Sequence, residues 1–184
     1  SQHKEKGGKM KSYFNLCILF FLLLIYGCAP STTKVQWETG RVINPQFAEK
    51  VIIVEKFEFT APLKKGIRTE VLVSGDISTC IVKSLRNNLI GYAVLREDEA
   101  NNISPNAIVI KLTPTKVTTG YNFWGTKIVG NVYAKVQVND SPVELEGEGK
   151  ANAEMPPTNY AFKTAFSEAC DDLAVKVDKL LNKK

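Results

Sequence analysis

An apolar run near the start of the chain limits which residues can belong to a folded domain. Leu16–Ile25 is an unbroken stretch of ten apolar residues, preceded by Met10 and Lys11 and followed by Gly27 and Cys28. Ten residues are too few to span a bilayer, which takes roughly 20. A short positive segment, an apolar run and a small-residue site, in this order, are typical of an export signal. We therefore expect the folded part to begin after Gly27.

The end of this run resembles a known processing site. Leu24–Cys28 resembles the lipobox of bacterial prolipoproteins, in which a peptidase cuts before a cysteine that then carries lipid. Gly27 and Cys28 match the pattern, whereas Tyr26 departs from it because small residues are usual there. The resemblance implies cleavage between Gly27 and Cys28 and a diacylglyceryl group on Cys28, with a further chain such as palmitate on its amine, and two or more chains anchor a protein stably. The alternatives are an ordinary secretory signal and a buried cysteine in an uncleaved helix.

The residue after the cysteine bears on localisation. Ala29 follows Cys28, and there is no Asp at this position. By resemblance to the enterobacterial sorting pattern, this favours the periplasmic face of the outer membrane, with the inner membrane and the cell surface left open. The membrane would then be the first partner, reached through the N-terminal lipid.

The chain divides into four segments on this interpretation. Residues 1–9 are an upstream remnant, 10–27 the signal peptide, 28–50 the lipidated N-terminus and a tether, and 51–184 a single domain. Removal of the leader leaves 157 residues with 20 basic and 18 acidic side chains, so the net charge of +5 falls to +2. A nucleic-acid partner would call for a basic patch on the domain, and we expect none.

Composition argues against catalysis. The single histidine, His3, lies in the leader, which removes Ser-His-Asp and Cys-His nucleophiles and imidazole metal sites from the mature chain. No phosphate-binding glycine loop or other cofactor motif is present, so we expect no enzyme activity, no cofactor and no metal. Glu144, Glu146 and Glu148 share one strand face and could bind calcium, but we expect a solvated face with cross-strand ion pairs instead.

Hydrophobic periodicity predicts a two-layer α+β sandwich, with a mainly antiparallel sheet and two helices on one face. The four consecutive apolar residues at the start of the first predicted strand indicate a central strand, and the segment around Pro62–Gly66 is predicted as a loop. The predicted strands are Val51–Phe59, Tyr92–Leu95, Ala107–Thr113, Thr126–Val138 and Val143–Ala151, and the predicted helices are 76–90 and Asn159–Leu181.

The turn cluster Asn139–Pro142 predicts a hairpin between the last two strands. If Val138 faces Val143, Lys135 lies opposite Glu146, which would account for the charges on this face.

Two cysteines remain for the domain. Cys80 and Cys170 both fall on apolar helical stripes, and if the helices pack side by side these residues either form a disulfide or stay as buried free thiols. The sequence leaves both alternatives open.

Three aromatic residues lie together between two predicted strands. Tyr121, Phe123 and Trp124 stand between Gly120 and Gly125, which places them at a hairpin tip. Tyr and Trp are enriched at interfaces because each joins an apolar body to a polar edge. The tip is therefore either a contact surface for a protein, lipid or glycan, or a loop that folds back over the core.

The order of elements over Val51–Leu181 resembles small uncharacterised outer-membrane lipoproteins of the YajG type. The resemblance implies an envelope role, and the expected function is a non-enzymatic interaction or accessory module that contacts envelope proteins through a sheet edge or the aromatic tip. The alternative is a lipid- or glycan-binding periplasmic domain with its ligand between helices and sheet. The oligomeric state cannot be inferred from the sequence.

Overall fold

The computed structural model describes residues 30–38, 45, 48–65, 68–101, 103–122, 124–138, 141–153 and 157–182. The chain divides after Ser31 into two compact units, and nearly all of the described residues belong to the second unit, Thr32–Lys184. Gly27, Cys28 and Phe123 lie outside the described residues, so the predictions of lipidation and cleavage stay predictions.

The described residues form eight strands and two helices, which confirms the predicted α+β class. The elements are β1 (Ser31–Val35), β2 (Lys50–Val54), β3 (Glu58–Lys65), β4 (Arg68–Asp76), α1 (Ile77–Asn88), β5 (Ala93–Arg96), a short 3₁₀ turn (Glu97–Glu99), β6 (Ile108–Tyr121), β7 (Lys127–Val138), β8 (Ser141–Asn152) and α2 (Asn159–Leu181).

Within the described residues the strands form two sheets. One has the order β5-β2-β6-β7-β8 and the other the order β1-β4-β3. Strand β2 pairs in parallel with β5 and β6, whereas β6, β7 and β8 pair antiparallel, as do β3 and β4. The larger sheet is therefore mixed, and β2 is central, as its continuous apolar run predicted.

Both helices and the inner faces of both sheets contribute to one hydrophobic core. Asp76 begins α1, because its carboxylate Oδ1 accepts a hydrogen bond from the Ser78 amide at 3.0 Å. Among the largest fully buried side chains are Phe162, Phe166, Ile52, Leu63, Ile81, Leu112 and Ile128.

Helix α2 lies across β7 and β8, and glycines on those strands allow a close approach. A Cβ atom on Gly149 would lie 2.7 Å from the Cβ of Glu168 and would overlap the carbonyl oxygen of Ala165. A Cβ atom on Gly130 would lie 2.9 Å from Cδ1 of Phe166. The space between helix and sheet is therefore filled at these two positions.

The free edge of β8 is covered by three polar side chains of α2 spaced four residues apart. The amides of Lys150 and Glu148 donate to Glu168 Oε2 and Asp172 Oδ2, each at 3.0 Å. Lys176 Nζ donates to the Glu146 carbonyl oxygen at 2.7 Å. Edge strands left open are sites for strand addition by another chain. Over these residues, the edge of β8 is closed to such a partner.

The pKa of Asp172 reflects this role. Burial of the carboxyl raises its pKa, but the hydrogen bonds from Lys176 and from the Glu148 amide outweigh burial and leave the pKa below its ordinary value. Asp172 is therefore ionised at neutral pH, as an acceptor for an edge amide should be.

The N-terminal boundary of the domain differs from the predicted tether at 28–50. Strand β1 joins the smaller sheet, and Val35 is only 1% exposed. Trp37 Nε1 donates to Ser167 Oγ at 3.2 Å, and its indole meets the Phe166 ring edge-on at 6.4 Å. Val35 and Trp37 thus pack this mostly polar segment onto the domain. The sequence shows no hydrophobic periodicity there that would predict the packing.

The prolines misled the prediction of strand ends. Pro62 lies within β3, although the segment around it was predicted as a loop, and β3 is an edge strand in which a missing amide is tolerated. The strand predicted over Val51–Phe59 is interrupted in the structure, where β2 ends at Val54 and β3 begins at Glu58. Pro114 lies inside β6, which continues to Tyr121 with a register shift between Pro114 and Lys116.

The predicted register of the last hairpin was wrong by two residues. Val138 pairs with Ser141, which places Lys135 opposite Glu144 with an ion pair of 3.2 Å. The turn predicted over Asn139–Pro142 is shorter in the structure, because Ser141 and Pro142 belong to β8, again an edge strand.

Candidate functional site

The tip of the β6–β7 hairpin is ordered by one asparagine. Asn122 Oδ1 accepts hydrogen bonds from the amides of Thr126 and Lys127 at 2.8 and 2.9 Å. The Gly125 amide donates to the Asn122 carbonyl oxygen at 2.9 Å, and Gly125 has a φ of 67°, a conformation that favours glycine. These hydrogen bonds hold Asn122 and Gly125–Lys127 in a defined turn.

The structure separates two members of the predicted contact surface. The Tyr121 hydroxyl donates to Glu70 Oε2 at 2.8 Å and is packed against the core. Glu70 lies at the register shift of the β3–β4 hairpin, where an extra residue re-aims the side chain. Trp124, by contrast, is 78% exposed. Tyr121 thus ties two hairpins together, whereas the Trp124 side chain faces outward.

The Tyr121 contact predicts a change in stability at high pH. Burial first, and the Glu70 carboxylate second, raise the pKa of Tyr121 from 10.0 to about 12. A phenol with a raised pKa stabilises the fold fully below pH 10, and this stabilisation is lost as the pH rises from about 10 to 12. Tyr121→Phe is expected to cost about 1.5 kcal/mol at pH 7. Its stability should also fall less between pH 10 and 11 than that of the wild type.

Urea unfolding at pH 7, 10 and 11 measures both effects. Parallel losses in the two proteins between pH 10 and 11 would contradict the assignment of this titration to Tyr121.

Several further elements end beside this tip. Lys127 pairs with Asn152 at the end of β8, and the Ala153 amide donates to the Thr126 carbonyl oxygen at 2.9 Å. Helix α2 begins six residues after Ala153, and Tyr160 in its first turn is 76% exposed. We call this region the hairpin end. It comprises, among the described residues, Lys64 and Lys65 of the β3–β4 hairpin, Trp124–Lys127 of the β6–β7 hairpin, the first turn of α2 and the start of β1.

Two hydrogen bonds show that β1 starts at the hairpin end. Asn159 Nδ2, at the start of α2, donates to the Lys34 carbonyl oxygen at 3.3 Å. Three residues later Trp37 reaches Ser167, further along the helix. The chain therefore runs alongside α2 from its first turn toward its middle, so Thr32 lies on the side of the hairpin end.

The hairpin end carries exposed basic residues. Lys64 and Lys65 lie at the tip of the β3–β4 hairpin, and Lys127 lies at the base of the β6–β7 tip, all of them exposed. Glu70, the acid beside them, is engaged by Tyr121. This surface therefore combines outward aromatic rings with positive charge.

The acidic row on β8 is paired along the open face of the sheet. Besides the Glu144 pair described above, Glu148 contacts Lys150 at 2.6 Å, and Glu146 accepts a hydrogen bond from Tyr133 that raises the pKa of the phenol. Lys116 Nζ lies 5.6 Å from the centre of the Tyr133 ring. In the described parts of the chain, no group of His, Cys, Asp or Glu residues could hold a metal ion.

A second acidic cluster also has structural partners. Glu97–Glu99 forms the 3₁₀ turn, in which Arg96 pairs with Asp98 and holds the pKa of that carboxyl below its ordinary value. Glu99 contacts Arg86 at 2.8 Å, and this pair is largely buried. The cluster therefore ties α1 to β5.

Cys80 and Cys170 are both buried free thiols in the structure. The Cys80 thiol lies 3.7 Å from the Phe166 carbonyl oxygen. Burial first, and the neighbouring Cys80 second, raise the pKa of Cys170 well above its ordinary value, which keeps this thiol protonated and weakly reactive. Of the two alternatives that the sequence left open, the structure has the free thiols.

The solved structures described here resemble this chain only distantly. No protein-family model and no curated protein sequence matches it. An uncharacterised protein of known crystal structure is 8% identical, with a TM-score of 0.48, and the match covers 84% of this chain and all of that one.

Two further solved structures are similar. A putative neuraminyllactose-binding hemagglutinin homologue from Helicobacter pylori is 14% identical, with a TM-score of 0.38, over 80% of this chain and 90% of that one. A dodecameric PelC variant from Paraburkholderia phytofirmans is 14% identical, with a TM-score of 0.34, over 74% and 94%. At these values the likenesses carry no functional conclusion for this chain.

No helix in the described ranges is long and apolar enough to cross a membrane.

Proposed function

We propose that this chain is a lipid-anchored envelope protein that acts as a non-enzymatic interaction module on the periplasmic face of the outer membrane. The lipobox resemblance at Leu24–Cys28 supplies the anchor. The paired charges of the sheet face and of the 3₁₀ turn, and the absence of histidine from the mature sequence, support a role in contact over a role in chemistry.

The observation that carries this proposal is the short stretch of sequence between the candidate anchor and the first strand. Strand β1 begins at Ser31, and Val35 and Trp37 pack into the core. Cys28 precedes Thr32 by four residues, which reach at most about 14 Å when fully extended. An acylated Cys28 would hold the domain close to the bilayer, because the segment that joins them is short.

The experiment is the intact mass of the protein extracted from bacterial membranes, compared with a Cys28→Ser variant. The wild type is expected to begin at Cys28 and to carry the added mass of a diacylglyceryl group, with or without a third chain. The variant is expected to lack the acyl mass and to keep the residues before position 28, because the resemblance makes Cys28 part of the cleavage site.

The Cys170→Ser variant is the matched control, because its thiol is buried and it should keep the acyl mass. A wild-type chain that starts elsewhere and carries no lipid would refute the proposal.

A further inference from the structure

The hairpin end and its opposite end differ in chemistry. Trp124 and Tyr160 project from the hairpin end, beside the basic tip of the β3–β4 hairpin. At the opposite end, Ile90 lies in the turn before β5 and is 96% exposed, whereas the neighbouring aromatic residue, Tyr92, is buried. Among the described residues, the hairpin end therefore presents both aromatic rings and basic side chains.

Aromatic and basic side chains together are the chemistry of a bilayer surface. Trp and Tyr prefer the headgroup region, because the ring enters the apolar boundary while its polar edge stays hydrated. Lysines near an anionic leaflet add affinity, about fivefold for each residue close to the surface. Each of these features alone is common on protein surfaces, but here they share one end of the domain.

The path of the chain gives a reason for lipid as the occupant. Strand β1 enters the domain at the hairpin end, as the Asn159 and Trp37 hydrogen bonds establish. Any anchor at Cys28 would therefore draw this end toward the membrane, since only a few residues separate the anchor from Thr32. A protein partner would have no such reason to select this end.

We propose that the hairpin end docks on the surface of a bilayer containing anionic lipids, with Trp124 and Tyr160 in the headgroup region and Lys64 and Lys65 over anionic headgroups. The anchored domain then has a fixed orientation and presents its opposite end to the periplasm. This inference rests on the proposed function, because the lipid on Cys28 supplies the attachment.

Depth-dependent fluorescence quenching tests the orientation. The full lipidated protein is reconstituted in phosphatidylcholine and phosphatidylglycerol vesicles that contain lipids brominated close to the headgroup. The chain has two tryptophans, and Trp37 is packed against the core, so quenching should remove roughly half of the emission through Trp124. The Trp124→Phe variant should lose at least four-fifths of that quenching.

A matched variant places the reporter at the opposite end. Ile90→Trp combined with Trp124→Phe keeps an exposed tryptophan but moves it to the turn before β5, and its emission should not be quenched. Lys64→Glu with Lys65→Glu should lower the quenching of Trp124 at least twofold in anionic vesicles. Equal quenching at both ends, or none at Trp124, would overturn the proposal.

A photoreactive residue at position 124 distinguishes lipid from protein as the occupant. In native membranes it should form lipid adducts, and a defined protein adduct in their place would refute docking on lipid.

The mass of each reconstituted sample separates the two proposals. A diacylated protein without quenching retains the anchor and rejects docking, whereas an unlipidated protein that is quenched on added vesicles rejects the anchor and retains docking.

Discussion

Gly149→Ala is expected to lower the free energy of unfolding by about 3 kcal/mol. The added methyl group would meet backbone atoms of α2, and a carbonyl oxygen cannot move aside as a flexible side chain can. To relieve the overlap, the helix must lift from β8, which also disturbs the hydrogen bonds that cover the strand edge. Thermal unfolding followed by circular dichroism should show a fall in Tm of roughly 10 °C.

Gly120→Ala is the matched control for this prediction. Gly120 also lies in a strand, has an ordinary backbone conformation, and has no atom within 4 Å of a Cβ placed on it. The change should stay within about 0.5 kcal/mol. If the two alanine variants had the same stability, α2 would not lie in close contact with β8.

The local parts of the fold could be predicted because their signals lie within a few residues. The apolar spacing and the Thr158 cap define α2, and its predicted range Asn159–Leu181 is confirmed. The start of α1 is likewise defined by a nearby cap, Asp76. The continuous apolar run of β2 indicated that this strand lies between two others in the sheet. For the starts of both helices, a short window of sequence contains both the periodicity and the boundary.

The long-range parts could not be predicted. Glu168, Asp172 and Lys176 look like an ordinary solvated helix face, and only the neighbouring edge of β8 gives them acceptors and donors to satisfy. Judged from neighbouring residues alone, Pro62 and Pro114 predict the end of a strand. In the structure, the edge position of β3 accommodates Pro62, and a register shift accommodates Pro114. Such positions depend on which strands become neighbours, which periodicity does not reveal.

The candidate site shows the same limit. The sequence placed Tyr121 and Trp124 together at a tip. Only the hydrogen bond from the Tyr121 hydroxyl to Glu70 shows that the Tyr121 side chain faces the neighbouring hairpin. Lys64 and Lys65 are more than 50 residues away in the chain, and nothing local connects them with the tip. The combined surface exists because the start of β4 and the end of β6 lie on the same side.

Phe166→Ala is expected to have the largest effect on stability, a loss of about 4 kcal/mol. The Phe166 ring is fully buried and meets the Phe59 ring at 5.1 Å and the Trp37 ring at 6.4 Å. It also covers Gly130, so one side chain joins both sheets and the N-terminal segment. Truncation leaves a cavity. The surrounding backbone cannot collapse to fill this cavity, because it is held by contacts from both sheets.

The consequence reaches beyond stability, because Phe166 is one of the contacts that hold Trp37 beside α2. In the alanine variant we expect the Trp37 emission to shift to the red in a Trp124→Phe background, before global unfolding, as the indole gains water. Tyr160→Ala on the same helix is the control and should leave both stability and emission unchanged, since its side chain is mostly exposed. An unshifted emission would mean that β1 and the residues after it are held independently of Phe166. The distance between a lipid on Cys28 and the domain would then be set by the β1–β4 pairing alone.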